Sequence, residues 1–185
     1  MVELLIGLAG GAAISVGIWY LTAHVLVPKL VFGDNLIRRE VASGEVRYRL
    51  LVRNIGRRRA VDLRYRALMM FPDVGVMAGL TGQAGFRLDL LKDDDFVLTA
   101  KRSTVLTLSL PDEARLEQFA IVRTLYPIRE RRFGLEIESL LKRSEGAYVF
   151  VQVLCHDEFS GSRKYFRSQS FDRHMVVHRG ADEPT

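Results

Sequence analysis

The chemically versatile side chains of this chain gather near its carboxyl end. Cys155, His156 and Asp157 follow one another, and His174 and His178 lie four residues apart. A cysteine beside a histidine can act as a nucleophilic pair, and histidines at this spacing can share a zinc ion. Cys155 continues the alternation of the preceding valines, which predicts a buried, inert thiol. Zinc would need further ligands, so we predict no catalytic residue, no metal site, no cofactor and no enzymatic activity.

Three adjacent carboxylates, Asp93 to Asp95, are the second group with chemical potential. Consecutive side chains point apart on a strand or turn, and no calcium-loop spacing surrounds these three. We interpret them as a solvated turn. The sequence also carries no phosphate-binding, dinucleotide-binding or hydrolase motif.

The elements that must position these side chains are mainly strands. From Glu45 to Arg53, apolar and charged residues alternate with a period of two, which is typical of a half-buried strand. A second run from Val61 to Met69 repeats the pattern, with Val61 facing inward. A short polar turn separates the runs, so we predict an antiparallel pair. The outward arginines would keep the sheet soluble, with binding of an anionic ligand as the alternative.

Further short elements follow, joined by polar turns. We predict a loop over 71–85, a short helix after Asp112 as its N-cap, and a second helix from Phe133 with Lys142 and Arg143 at its carboxyl end. The apolar run 148–155 is predicted as a central strand covered on both faces. The remaining strands are predicted at 86–91, 96–100, 103–110, 164–171 and 175–178. This pattern indicates a mainly β fold, an immunoglobulin-like β-sandwich.

One apolar run precedes this domain. Leu4 to Val27 comprises 24 residues without a formal charge, and a membrane span needs roughly 20. A signal peptide would start with basic residues and end at a small-residue cleavage site, and a buried core helix would be shorter. We predict a transmembrane helix, with those two as alternatives. The predicted organisation is a transmembrane helix over 1–28, a juxtamembrane linker and first strand over 29–44, the sandwich over 45–180 and a disordered tail over 181–185.

The charges beside the apolar run predict its orientation. The amino side carries no Lys or Arg, whereas Lys29, Arg38 and Arg39 follow on the carboxyl side. The positive-inside rule therefore predicts a single-pass protein of the cell membrane with a cytoplasmic carboxyl-terminal domain. The single cysteine agrees, because a secreted domain of this size commonly uses disulfides.

Small residues recur every four positions in the apolar run, at Gly7, Gly11 and Ser15. This spacing places them on one helical face, where a second helix can approach closely, although such residues are common in membrane helices generally. We predict helix association through this face.

The formal net charge is +5, from 27 basic and 22 acidic residues. Such a balance attracts nucleic acid or an anionic membrane surface. Next to a membrane helix, the negatively charged cytoplasmic leaflet is the simpler partner. We therefore predict membrane lipid, with anionic lipid as the candidate, and no nucleic acid.

Several sequence blocks follow one another from Pro28 to Asp182. They read PKLVF at 28–32, LVRN at 51–54, VDLRYRA at 61–67, TLYPI at 124–128, FGL at 133–135, ESLL at 138–141, VFVQVL at 149–154 and HDE at 156–158, before the strand at 164–171. Their order and spacing resemble the cytoplasmic domain of prokaryotic inward-rectifier potassium channels.

The resemblance implies an immunoglobulin-like sandwich that assembles as a tetramer beneath a pore. It also implies a site for anionic phospholipid where the linker meets the membrane. Lys29 matches a basic position of that linker, and Arg38 and Arg39 lie near it without matching. These three are the predicted lipid-binding residues. A homo-oligomer is expected, with a helix-driven dimer as the alternative to the tetramer.

Two kinds of departure separate the chain from that family. A channel subunit needs two membrane helices with a selectivity-filter loop between them, whereas this sequence has one apolar run and no such loop. The family's Ser-Pro-Leu element is replaced at 131–133, and its glycine before Asp157 is replaced by Cys155-His156. We predict a single-pass membrane protein whose sandwich serves assembly, regulation or anionic-lipid binding, without conducting ions. The alternatives are an accessory pseudo-subunit of a separate channel, with a partner membrane protein, and a secreted binding domain.

Overall fold

A computed structural model describes residues 2–22, 26–41, 44–72, 84–119, 122 and 135–178, without the side chains of Leu4, Leu5, Glu113 and Glu117. A helix, α1, spans Val2–Tyr20. The strands are β1 Leu30–Phe32, β2 Leu36–Glu40, β3 Val46–Asn54, β4 Ala60–Phe71, β5 Ala84–Leu90, β6 Asp94–Leu98, β7 Ser103–Ser109, β8 Tyr148–Asp157, β9 Arg163–Arg167 and β10 Val176–His178. Further helices are α2 Glu113–Gln118, α3 Ile137–Arg143 and a 3₁₀ helix Arg173–Met175. The prediction of a mainly β chain is confirmed.

The ten described strands form one curled sheet. Their order is β10-β2-β3-β7-β5-β4-β8-β9, with β1 also paired to β3 and β6 to β4. The β10–β2 pair is parallel and the other pairs between these strands are antiparallel. The first five residues of β5 pair with β4, and its last two pair with β7. β5 therefore joins the two halves of the sheet.

The core lies where the faces of β3, β4, β7 and β8 meet. Side chains at alternating positions of these strands are almost fully buried, at Tyr48, Leu50, Val52, Leu63, Tyr65, Ala67, Met69, Leu106, Leu108, Val149, Val151 and Val153. Burial of one large apolar side chain contributes about 1.5–3 kcal/mol. The inward face predicted for the first strand is confirmed.

The predicted pairing of the first two long strands is wrong. β3 pairs with β1, β2 and β7, whereas β4 pairs with β5, β6 and β8. The polar turn between β3 and β4 therefore connects the two halves of the curled sheet and does not close a hairpin. Alternation specifies which face of a strand is buried, but it does not specify the neighbouring strand.

Val61 does not face inward as predicted. The register between β4 and β8 shifts between Val61 and Arg64, and Asp62 has a left-handed φ of 49°. An extra residue at a bulge reverses the alternation on its two sides. Ala60 and Leu63 are therefore buried, while Val61 is half-buried.

Two local predictions about helices are confirmed. The side chain of Asp112 caps α2 by accepting a hydrogen bond from the backbone N–H of Arg115. The second helix is α3, which buries Ile137, Leu140 and Leu141 and ends at Lys142 and Arg143 as predicted. It begins at Ile137, later than predicted, because residues 135 and 136 are not helical. Residues 123–134, which include the blocks at 124–128 and 131–133 and part of the FGL block, lie outside the described residues.

The predicted central strand is β8, which lies between β4 and β9. Its predicted cover on both faces is only partly present, because Gln152 and Leu154 are half-buried. β6 begins at Asp94, earlier than predicted, and the returning strand ends at Arg167. The tail at 181–185 and residues 73–83 of the predicted loop lie outside the described residues.

Most of the apolar run that was predicted as a transmembrane helix is helical, since α1 covers Val2–Tyr20. Residues 23–25 of the run lie outside the described residues. Among the residues that the structure describes, no helix combines the length and apolar character needed to cross a bilayer. Two strands, β1 and β2, occupy the predicted linker and first-strand segment at 29–44.

We expect Cys155 to resist alkylation in the folded protein. Its side chain is buried, as predicted, and burial raises the pKa of its thiol from 9.0 to about 11. A shift of this size leaves roughly a hundredfold less thiolate near neutral pH. Because burial favours the neutral thiol, its contribution to the free energy of unfolding is fully present below the ordinary pKa. That contribution is lost as the pH rises through about 11.

The measurement is the rate of iodoacetamide reaction at pH 8, in buffer and in denaturant. We expect the native rate to be at least roughly a hundredfold lower. Equal rates in the two conditions would show that the thiol is accessible.

Candidate functional site

The residues with nucleophilic potential do not form a catalytic pair. Cys155 and His156 are neighbours on β8, so their side chains extend from opposite faces of the sheet. The Nδ1 atom of His156 lies 3.4 Å from the Oδ2 atom of Asp62. The carboxylate of Asp157 accepts a hydrogen bond from Ser160 Oγ, which shapes the turn after β8. These contacts are structural.

The two histidines near the carboxyl end contact different partners. The Nε2 atom of His178 lies 3.1 Å from Glu138 Oε2, whereas the Nε2 atom of His174 accepts a hydrogen bond from Arg173. Across the described ranges, no three His, Cys, Asp or Glu residues are grouped so that they could hold a metal ion.

The acidic triplet is not wholly a solvated turn. The side chain of Asp95 is 13% exposed and accepts a hydrogen bond from the Tyr65 hydroxyl at 3.1 Å. Lys92 and Thr104 also donate to this carboxylate. Burial, together with the Asp95 charge, raises the pKa of Tyr65 above its ordinary value. Asp95 therefore holds the β6 end against the core, whereas Asp93 and Asp94 are exposed as predicted.

Of the three predicted lipid-binding residues, Arg38 is already paired. Its guanidinium donates two hydrogen bonds to the Glu136 carboxylate, at 2.9 and 3.2 Å. This bidentate contact raises the pKa of Arg38. The pair connects β2 to the start of α3, which is a structural role.

The three predicted lipid-binding residues do not share one site. Arg38 lies opposite Tyr48 on β3, and the Lys29 carbonyl accepts a hydrogen bond from the Ile55 N–H. Seven residue steps along a strand separate these positions by about 23 Å. Arg39 follows Arg38 on β2 and therefore extends from the opposite face of the sheet.

Lys29 instead lies beside a buried amide. The Oδ1 atom of Asn54 accepts hydrogen bonds from the backbone N–H of Lys29 at 3.2 Å and of Gly56 at 3.0 Å. Its Nδ2 atom donates to the carbonyls of Arg58 at 2.8 Å and Leu98 at 3.1 Å. One buried side chain thus holds the incoming chain, the turn after β3 and the end of β6 together.

Gly56 allows the incoming chain to come this close. A Cβ atom at this position would lie 2.4 Å from the Val27 carbonyl oxygen and 2.4 Å from the Lys29 nitrogen. Both are backbone atoms, so a larger residue would displace the segment from Val27 to Lys29. The glycine is required here for close approach.

This end of the sheet is strongly basic. The backbone N–H of Asn54 donates to the Arg102 carbonyl, and the Asn54 carbonyl accepts from the Lys101 N–H, so the turn before β7 lies against the same residue. At this end of the sheet, five cations have no carboxylate of the described residues within salt-bridge distance: Lys29, Arg53, Arg57, Lys101 and Arg102. We call these five residues the basic end.

A groove of about 500 Å³ opens beside the basic end, lined by Arg57, Arg58, Arg59, Thr99, Ala100, Glu158 and Phe159. The Arg58 guanidinium pairs with the buried Asp157 carboxylate at 3.3 Å and lies 4.2 Å from the centre of the Phe159 ring. Phe159 is nevertheless 72% exposed. Arg59 pairs with Glu158 at 3.4 Å, so Arg57 is the groove arginine with no described carboxylate partner. An exposed aromatic ring beside such a cation favours contact with an anionic, partly apolar surface.

The basic end lies close to the helix along the chain. Nine residue steps from Tyr20 to Lys29 span about 30 Å at most. Sequence reasoning missed Arg57, Lys101 and Arg102, because they are distant in sequence and meet through the strand order. The arginine run at 57–59 is evident in the sequence, but such a run is equally typical of an ordinary polar turn.

The face predicted for helix association lies on α1, and no described part of the chain buries this helix. Every residue of α1 whose side chain is described is exposed. A Cβ atom added at Gly7 or Gly11 would have no neighbour within 4 Å. The Ser15 hydroxyl bonds to the Gly11 carbonyl within the helix. The face is therefore available for a second helix.

The fold and these contacts define a mainly β chain with an exposed apolar helix and a basic end that follows the helix along the chain. The chain matches no known protein family model, and it matches no curated protein sequence at a significant level. The resemblance to inward-rectifier channels therefore stays a prediction, and function has to be argued from the residues.

We expect Asn54→Ala to destabilise the fold by about 3 kcal/mol, since it leaves several backbone groups without a partner at about 1–3 kcal/mol each when buried. The measurement is urea unfolding of the full-length protein in detergent, followed by the circular dichroism of the strands. Asn35→Ala is the matched control, because Asn35 is exposed, and its effect should stay within about 0.5 kcal/mol. Equal stability of the two variants would contradict the role of Asn54.

Proposed function

We propose that this chain is a single-pass membrane protein that presents its β domain at the membrane surface for assembly, regulation or anionic-lipid binding, without conducting ions. The observation that carries the proposal is the exposed apolar surface of α1. Large apolar side chains that are exposed on this helix include Ile6, Leu8, Ile14, Val16, Ile18 and Trp19. The membrane segment of the proposal is the apolar run Leu4 to Val27, which is longer than the described helix.

An apolar helix without cover is unfavourable in water. Isolated helices are marginally stable there, and each Leu or Ile that leaves water contributes about 2 kcal/mol. Apolar residues lie on every side of α1, and a helix of this kind is normally buried in a protein core or a bilayer. An interfacial helix would show a charged face, whereas the one Asp, Glu, Lys or Arg residue of α1 is Glu3.

The basic residues support the proposed orientation. Lys29 and the rest of the basic end follow α1 along the chain. The positive-inside rule then favours a cytoplasmic β domain. The basic end would face the anionic leaflet. In this proposal the lipid contact is made by the basic end, which includes Lys29, and not by Arg38 and Arg39.

The proposed assembly rests on surfaces that the described chain leaves uncovered. The Gly7, Gly11 and Ser15 face supports association of membrane helices. The curled sheet encloses its core between two halves, which is compatible with the proposed immunoglobulin-like sandwich. The tetramer follows from the resemblance to inward-rectifier channels, and the dimer remains the alternative.

One observation favours the accessory-subunit alternative. Leu51 and Val105 are register partners on β3 and β7, and they are 44% and 46% exposed. An apolar pair on the outer face of a sheet suits contact with another protein. Co-purification with a second membrane protein would select this alternative over self-association.

We expect the full-length protein to stay in the membrane fraction after an alkaline carbonate wash. Two Lys residues in place of Ile14 and Ile18 should release it, because each buried cation costs about 3 kcal/mol at the centre of a span. The matched control replaces the same two residues with Ala, which should leave the protein in the membrane. Carbonate extraction of the wild-type protein would refute membrane attachment.

We expect anionic lipid to protect the basic end. In nanodiscs that contain anionic lipid, amides at 55–59 and 99–102 should exchange hydrogen more slowly than in zwitterionic nanodiscs. Gln in place of Arg57, Lys101 and Arg102 should abolish the difference, since three charges near such a surface contribute about 3 kcal/mol. Added salt should reduce the protection.

The matched control removes the same charge elsewhere, with Gln in place of Arg47, Arg66 and Arg87. Arg66 and Arg87 are exposed on the middle of their strands, and Arg47 forms an exposed ion pair with Glu45. This variant should keep the lipid-dependent protection. Equal loss in both variants would mean that net charge, and not the basic end, attracts the lipid.

A further inference from the structure

Exposed apolar side chains form a patch on the outer surface of one half of the curled sheet. They include Val177 of β10, Leu51 of β3 and Val105 of β7, which are 40%, 44% and 46% exposed. Ile37 of β2, the register partner of Val177, is half-buried beside them. Leu91 directly follows β5 and is 71% exposed, and its N–H donates to a carbonyl of β7. A contiguous patch of this kind marks a surface where another molecule binds.

The register of the strands places Arg49 in the middle of this patch. Arg49 of β3 lies opposite Ile37 of β2 on one side and opposite Thr107 of β7 on the other. Leu51 is two residues further along β3 and extends from the same face, where it lies opposite Val105. We call the surface formed by Ile37, Arg49, Leu51, Leu91, Val105 and Val177 the outer face.

The guanidinium of Arg49 lacks a charged partner. No carboxylate of the described residues lies within salt-bridge distance of it. Glu45 and Asp89, at the margins of the outer face, each pair with another arginine at 2.9 Å, and Asp34 is exposed in the link between β1 and β2. A molecule that covers the apolar patch also takes Arg49 out of water, and an unpaired buried cation is strongly unfavourable. That molecule must therefore place an anionic group opposite Arg49.

The dimensions of the outer face suit a single helix. Five strands about 4.8 Å apart make the face roughly 20 Å wide, and the steps along β3 from Arg47 to Leu51 make it about 13 Å long. A helix is about 10–12 Å in diameter and crosses this width with roughly 13 residues. A stable interface between folded domains covers about 800 Å² on each partner, so the outer face is too small for a second copy of this chain.

We propose that the outer face docks an amphipathic helix of another protein, which carries a carboxylate in the middle of its apolar side. Leu51, Leu91 and Val105 pack against the apolar residues of that helix, and the Arg49 guanidinium pairs with the carboxylate. A leaflet at the basic end would leave this face open, because the face runs along β3 and the basic end lies at the carboxyl end of that strand. The inference rests on the accessory-subunit form of the proposed function, for which it names the chemistry of the partner.

The first test places a photoreactive benzophenone side chain at position 105 of the full-length protein, in the cells that naturally produce it. Illumination should join this side chain to one other protein. The crosslinked peptide should show apolar residues at helical spacing with an Asp or Glu among them. The matched control carries the same side chain at position 165, because Tyr165 is 54% exposed on β9 in the other half of the sheet, and it should not give this product. Crosslinks to a second copy, to lipid, to a peptide without a carboxylate or to nothing overturn the proposal.

The second test exchanges the two charges. Arg49→Glu should lower the crosslink yield from position 105 at least roughly tenfold, because it leaves two carboxylates facing each other. Arg66→Glu is the matched control, since Arg66 is exposed on β4 in the other half of the sheet, and it should leave the yield unchanged. Lys in place of the partner's carboxylate should then restore the yield with Arg49→Glu, which a misfolded variant would not allow. An unchanged yield with Arg49→Glu, or no restoration, overturns the role of Arg49.

Failure of this inference is distinguishable from failure of membrane attachment. Arg49→Glu should stay in the membrane fraction after the carbonate wash. A protein that stays in the membrane but gives no crosslink from position 105 loses only the docking proposal. A protein that carbonate extracts but that still gives the expected crosslink loses only the membrane proposal.

Discussion

The buried amide of Asn54 is the contact on which the arrangement of this chain depends. Its oxygen holds the backbone of Lys29 and Gly56, and its nitrogen holds the carbonyls of Arg58 and Leu98. The amide uses both its acceptor and its donor groups. Any other arrangement of the chain that breaks one of these contacts would therefore leave buried polar groups unpaired. The place where the chain enters the β domain is therefore set, beside the basic end.

Local patterns in the sequence predict local structure well in this protein. Alternation in 45–53 predicts the burial of Tyr48 and Leu50, because neighbouring side chains on a strand must face opposite sides. Asp112 is predicted as a cap because its short carboxylate can reach the free N–H groups of the next turn. The bulge at Asp62 defeats the same reasoning at Val61, since one inserted residue reverses the alternation.

Properties that depend on strand order escape the sequence. Arg38 and Lys29 are close along the chain, but they lie beside opposite ends of β3. Arg38 forms an ion pair with Glu136, which is almost one hundred residues away in the sequence. The basic end unites residues of two separate turns that Asn54 brings together. The resemblance to inward-rectifier channels suggested where a lipid contact would lie, at the linker, but the residues around Lys29 follow from the fold.

In the proposed function, α1 lies in a bilayer and the basic end lies at its surface. Depth measurement by electron paramagnetic resonance tests it on the full-length protein in anionic vesicles, with a nitroxide at Ile14→Cys or Lys101→Cys. The buried Cys155 should not take the label. We expect the label at position 14 to relax with oxygen and to be shielded from a water-soluble nickel complex, and the label at position 101 to lie at the headgroups. Equal access of the nickel complex to both labels would contradict it.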